Sequence, residues 1–252
     1  MNYRIFNLWN QGPDDLRGPR VPKFLHPQPK GGTLFLSLNP SFRTPPPAWI
    51  LNEPYGPGQN FTAEAFCWNQ FGDYADWKAA AHARLHQMAR TRYPWFCRLN
   101  IISQLLGQEG YALVDLFLRL EAQAQNLPLA FHHAGAHWPE NGNGDFIQHQ
   151  LKIAFDQIVA ANPIAIIGVY VGASNIFLRS FRSRFHGLHV AELQPLEQNF
   201  PHVKMTTLPE QDGWLDHPVP FFVCRNLPSS RGMSNEVFAT ASELIVRRIA
   251  QG

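Results

Sequence analysis

Short apolar runs alternate along this chain with longer stretches of helical periodicity. The runs are Thr33 to Leu38, Tyr111 to Phe117 (broken by Asp115), Ile164 to Val169 and Val219 to Cys224. Each is four to eight residues long and bounded by turn residues, the pattern of strands buried on both faces. Between them, Trp77 to Met88 carries Ala79, Ala80, Ala83 and Leu85 at helical spacing, and Trp95 to Leu106 ends on Gly107. Ile147 to Ala160 puts Ile147, Leu151, Ala154, Phe155, Ile158 and Val159 on one face. Gly172-Ala173-Ser174 opens another helix. Ser234 starts a last one, with Val237, Ala241, Leu244, Ile245 and Ile249 on its apolar side. Strands alternating with helices predict an α/β fold: a three-layer α/β/α sandwich around a mostly parallel central sheet.

The polar intervals set the domain plan. Residues 1–30 hold Pro13, Pro19, Pro22, Pro27 and Pro29 and are expected to form an irregular N-terminal arm, with a single domain over 31–252. Residues 41–62 and 132–144 read as long loops, and long loops in compact domains are usually functional. Two strand ends stand out. The first run stops on Ser37-Leu38-Asn39-Pro40-Ser41, and the last runs into Arg225-Asn226-Leu227-Pro228-Ser229-Ser230-Arg231-Gly232. Ligands of open α/β sheets bind outside the carboxyl ends of the strands, so these two tips are the expected walls of a crevice.

Composition narrows the function classes. Net charge is +2, which permits a nucleic-acid partner without requiring one. Arg90, Arg92 and Arg98, and again Arg179, Arg182, Arg184 and His186, form small basic groups expected at solvated helix ends. Three cysteines, Cys67, Cys97 and Cys224, are too few and too scattered for a disulfide framework, so a reducing, cytoplasmic setting is expected. No secretory signal or membrane-spanning run is visible, and no membrane partner is expected. His132, His133 and His137 are interrupted by Gly135 and have no accompanying Glu, so no metal is expected there. Gly168 and Gly172 lack the Lys-Ser of a phosphate loop. No cofactor is expected.

The order of these parts resembles the uracil-DNA glycosylase superfamily over about residues 30 to 250. Ser37-Leu38-Asn39-Pro40-Ser41 is similar to its first motif, Gly-x-Asn-Pro, with Ser in place of Gly. Leu113-Val114-Asp115-Leu116 stands where the family often has an Asn that reads the base. Ile153 through Gly172 resembles its helix–Pro–strand–Gly segment, and Asn226-Leu227-Pro228-Ser229-Ser230-Arg231 resembles its His-Pro-Ser or Asn-Pro-Ser motif. Leu227 overlays the His or Asn, so Asn226 could serve there only if the loop bulges by one residue.

The resemblance implies a glycosylase-like fold and hydrolysis of an N-glycosidic bond after a base is flipped from DNA. Asn39 and Asp115 become the catalytic candidates. Asn39 is no base, but its carbonyl oxygen can orient a water; it can equally cap the turn. Asp115, when ionised, only accepts hydrogen bonds, which suits the exocyclic amine of cytosine or adenine better than uracil; it can equally cap a helix or pair with a buried Arg. Leu38, Pro40, Tyr55 and Phe66 are candidates for the base pocket, with Trp49 and Phe61 as alternative aromatics. Ser41, Asn226, Ser229, Ser230 and Arg231 are candidates for DNA contacts, with Arg231 or Met233 as a wedge. Two rivals stand beside this reading: a non-catalytic nucleic-acid or nucleotide-binding relative, and a hydrolase of a small nucleoside-like ligand.

Overall fold

The computed structural model describes residues 2–17, 28–38, 48, 51–56, 58–60, 84, 87–119, 127–136, 145–186, 189–228 and 233–251. Six strands form one sheet: β1 (Thr33–Ser37), β4 (Ala112–Asp115), β5 (Ala165–Gly168), β6 (Gln194–Glu197), β7 (Phe200–Leu208) and β8 (Val219–Cys224). Two short strands, β2 (Pro54–Gly56) and β3 (Gln59–Asn60), pair separately. The sheet order is β4-β1-β5-β8-β7-β6. β4, β1, β5 and β8 are parallel, whereas β7 and β6 are added antiparallel at one edge.

Alternation of side chains sorts the sheet into two apolar faces. Leu34, Leu36, Val114, Ile166 and Phe221 face one core with α5 (Phe146–Ala161) and α6 (Val171–Arg184). Phe35, Leu113, Ile167, Phe222 and Cys224 face the other, against α3 (Pro94–Leu105) and α7 (Asn235–Ala250). The layered α/β architecture and the mostly parallel sheet follow the sequence expectation. α5 starts where Asp145 accepts from the N–H groups of Ile147 and Gln148, at 3.1 and 2.9 Å, and it ends at Asn162 in the left-handed region (φ 40°). Ser234 caps α7 by accepting from Val237 N–H at 3.3 Å.

The N-terminal segment departs from expectation. It is not irregular over its described part: α1 (Asn2–Gln11) and α2 (Asp14–Arg17) are helical. Ile5 and Trp9, one turn apart, are fully buried in the same core as the sheet. The Trp9 ring lies 5.0 Å from that of Phe146. Arg119 donates to the carbonyls of Asp15 and Leu16, both at 2.7 Å, and so fastens this segment to the chain just after β4. The β6–β7 hairpin is a second unexpected element. Its burial alternates instead of running continuously, and Pro195, Pro201 and Lys204 interrupt any apolar run.

Candidate functional site

Strand order locates the crevice. In chain order the four parallel strands lie second-first-third-fourth, so the path reverses between β1 and β5. At such a switch point the loops leaving the two strands diverge and leave an opening at their carboxyl ends. β5 alone separates β1 from β8. Neighbouring strands are about 4.8 Å apart, which brings the ends of β1 and β8 to about 10 Å from each other. The two motif-bearing strand ends therefore share one end of the sheet.

The first tip is built on β1. Leu38 is buried, and its carbonyl accepts from Phe117 N–H at 3.0 Å, while Ser37 O accepts from Leu116 N–H at 2.9 Å. Asp115 is the register partner of Ser37 and is only 3% exposed. By alternation it falls on the same face as Leu113, under α3. Asn39, Pro40, Ser41 and Phe66 lie outside the described residues, as do Trp49 and Phe61. Tyr55 is placed only through its backbone, in β2.

The second tip turns over just past the end of β8. Arg225 N–H donates to His202 O on β7 at 3.2 Å, whereas Leu227 N–H donates to Val169 O beyond β5 at 3.0 Å. In a regular strand, N–H groups two residues apart point to the same side. Asn226, with φ at 58°, is the residue at which the chain turns over. Leu227 then enters the core with no exposure, and Pro228 is buried beside it. Among the described residues, the buried side-chain oxygen of Asn226 has no hydrogen-bond partner. Ser229, Ser230 and Arg231 lie outside the described residues.

Arg98 holds this tip. It is 8% exposed and donates to Leu227 O at 3.2 Å, Met233 O at 2.8 Å and Asn235 Oδ1 at 2.7 Å. Its guanidinium carbon sits 4.7 Å over the Phe238 ring. Leu227, Met233 and Asn235 are thereby tied to α3. Burial pulls the Arg98 pKa below its ordinary value. Met233 is buried at 2% exposure, so it packs as an anchor and does not project as a wedge.

The expectation of solvated helix ends fails for several of the arginines. Arg90 donates to Tyr111 O at 2.9 Å and lies 4.6 Å over that ring. Arg179 donates to the carbonyls of Ala134 and His132, at 2.8 and 2.9 Å. Such arginines close loops on carbonyls and form no phosphate track. Arg92 remains a surface residue, paired with Glu53 at 2.7 Å.

Two residues that sequence reasoning missed complete the crevice floor. Tyr170 lies two residues past β5 and packs against both cores, across the end of the sheet. Its hydroxyl accepts from Trp95 Nε1 at 2.7 Å. Trp95 stands in the first turn of α3, whose start after Pro94 has no side-chain cap. Burial raises the Tyr170 pKa, and the nearby Asp115 and Tyr93 add to the rise against the opposing effect of the Trp95 bond. Its position at a strand end was the available signal; its partner was not visible. Cys224 is inert, because burial pushes its thiol up to about 12.

No group of metal-ligating side chains occurs among the described residues, and none of their helices is long and apolar enough to cross a membrane. No family model matches the chain, and no curated protein or solved structure is significantly similar to it.

Proposed function

We propose that this protein recognises a nucleobase in DNA at the carboxyl end of its sheet and hydrolyses the base–sugar bond, as a member of the uracil-DNA glycosylase-like group. The observation that carries the reading is the left-handed turn at Asn226, just past the end of β8. In this reading the turn supplies the one-residue offset by which Asn226 stands in for the family's His or Asn, and the end of β8 lies about two strand spacings from the end of β1.

In this reading Asn39 orients the attacking water and Asp115 accepts from the flipped base. An N-glycosidic cleavage leaves charge on the departing base and a cationic sugar, so fixed dipoles and acceptors matter more than a strong base. An ionised Asp115 repels a carbonyl oxygen and favours an exocyclic amine, as on cytosine or adenine. Arg225, exposed beside the tip, adds to the phosphate contacts expected of Ser41, Ser229, Ser230 and Arg231.

A second reading has its own support. The full burial of Leu227 removes its side chain from the position where the family has His or Asn. A relative that binds without cleaving accommodates that loss.

The test is a panel of oligonucleotides, each with one modified or mismatched base, treated with the protein and then with alkali to cut abasic sites. The expected result is strand cleavage at the position of an amino-bearing base and a shift toward uracil in Asp115→Asn. Binding that weakens steeply with salt but yields no product selects the second reading. A panel with neither product nor salt-dependent binding removes both.

A further inference from the structure

The crevice floor contains a hydroxyl whose bonding is half complete. Tyr170 Oη receives the Trp95 N–H at 2.7 Å. A phenol oxygen that accepts one strong hydrogen bond still has its own proton to give. Among the described residues no acceptor receives that proton. The side chain is held for the purpose from both ends. Its backbone carbonyl takes two bonds from Ser174, from N–H at 3.0 Å and from Oγ at 2.9 Å. Its ring is gripped by both apolar cores. Gly168, two residues earlier, lets α6 approach this closely, because a Cβ there would run into the Ser174 hydroxyl.

The indole fixes the polarity. Trp95 can only donate, so one lone pair of the Tyr170 oxygen is occupied and the hydroxyl proton is left for a ligand. Asp115, close enough for its charge to add to the rise in the Tyr170 pKa, offers only acceptors when ionised. A donor with an acceptor nearby matches an edge that carries an acceptor next to an amine. The unprotonated ring nitrogen beside the exocyclic amine of cytosine or adenine has that order.

We propose that Tyr170 is a specificity-determining donor of this site, giving its hydroxyl proton to the ring nitrogen of an amino-bearing base whose amine faces Asp115. The inference rests on the nucleobase-binding reading above. Burial raises the phenol's pKa above its ordinary value, so the hydroxyl keeps its proton at neutral pH.

The experiment is a binding cycle on the full chain, using single-stranded oligonucleotides that carry cytosine, 3-deazacytosine, adenine or 1-deazaadenine at one position. The deaza bases keep the amine and replace the ring nitrogen with a C–H. Wild type is expected to bind each deaza base roughly tenfold or more weakly than its parent, the usual consequence of leaving a buried donor unmet. Tyr170→Phe is expected to bind parent and deaza base equally, at the weaker level. Removing the hydroxyl also strands the Trp95 N–H, but that loss falls equally on parent and analogue and drops out of the cycle. Trp95→Phe is expected to weaken binding while keeping the preference for the parent.

A Tyr170→Phe protein that still prefers the parent bases overturns the assignment of Tyr170 and leaves the nucleobase reading standing. A wild type that binds parent and deaza bases alike does the same. A wild type that binds none of the four oligonucleotides overturns both.

Discussion

The two ends of the sheet make a useful contrast. At the amino end, where β1, β5 and β8 begin, lies a hollow of about 570 Å³ lined by Lys30, Gly31, Asn162, Gly213, Trp214 and Asp216. At the carboxyl end stand Asp115, Tyr170 and Asn226. The amino-end hollow is bounded by turns. Gly31 and Gly213 have φ of 67° and 71°, values that Gly adopts without strain. Asn162 Nδ2 donates to Asp216 Oδ2 at 3.4 Å. The Trp214 indole N–H has no hydrogen-bond partner, but its ring lies among phenylalanines, 4.9 Å from Phe181. At the carboxyl end, among the described residues, a buried acceptor on Asn226 and a proton on Tyr170 stay unmatched. Volume marks where turns leave room, and unmatched polarity marks where a ligand completes the bonding.

Arg98 offers the sharpest way to break the carboxyl end. Truncation to Ala removes three charge-assisted hydrogen bonds and strands the carbonyls of Leu227 and Met233 in the core. The expected loss is about 4 kcal/mol, read as a lower urea midpoint, with loss of oligonucleotide binding at temperatures where the fold persists. A change below about 1 kcal/mol would mean that the second tip is held by something other than this residue.

Asn226 tests the tip without the scaffold. Its left-handed backbone suits Gly, and removing the side chain also removes a buried acceptor that has no partner. Asn226→Gly should therefore shift stability by less than about 1 kcal/mol in either direction. Binding of the oligonucleotide is expected to fall about tenfold, because a ligand donor loses its acceptor. Unchanged affinity in a folded Asn226→Gly protein would reduce Asn226 to a turn former.

How much of this was legible in the sequence depends on where the stabilising contacts come from. β1, β5 and β8 were readable because strands buried on both faces appear as unbroken apolar runs. α5 and α7 were readable through their caps and stripes. α1 was not, because only Ile5 and Trp9 of its ten residues are buried, and docking against Phe146 does the work that periodicity would announce. Asp115 drew notice as a lone acid in an apolar strand. Tyr170 did not, since an aromatic after a strand is ordinary packing until Trp95, 75 residues away in sequence, takes its lone pair. Arg98 was grouped with surface cations for the same reason: its acceptors at Leu227 and Met233 lie 129 and 135 residues further on. Local pattern shows strands and tips, whereas the bonds that turn a tip into a site are long-range.

The smallest effect belongs to the amino-end hollow, and it decides the comparison. Lys30→Ala and Asp216→Ala both alter exposed residues, and neither removes a buried hydrogen bond. The melting temperature should move by less than about 2 °C. Oligonucleotide binding should keep its affinity and its salt dependence, because neither residue lies near the ends of β1 and β8. The alternative is specific. If the hollow were the ligand site, losing its Lys would flatten the salt slope by about one unit while Tyr170→Phe and Asn226→Gly left affinity alone. The same titration, run on these four variants, therefore assigns the ligand to one end of the sheet. The sign of the Lys30→Ala result carries the decision, since removing a cation can weaken phosphate binding only where that cation meets phosphate.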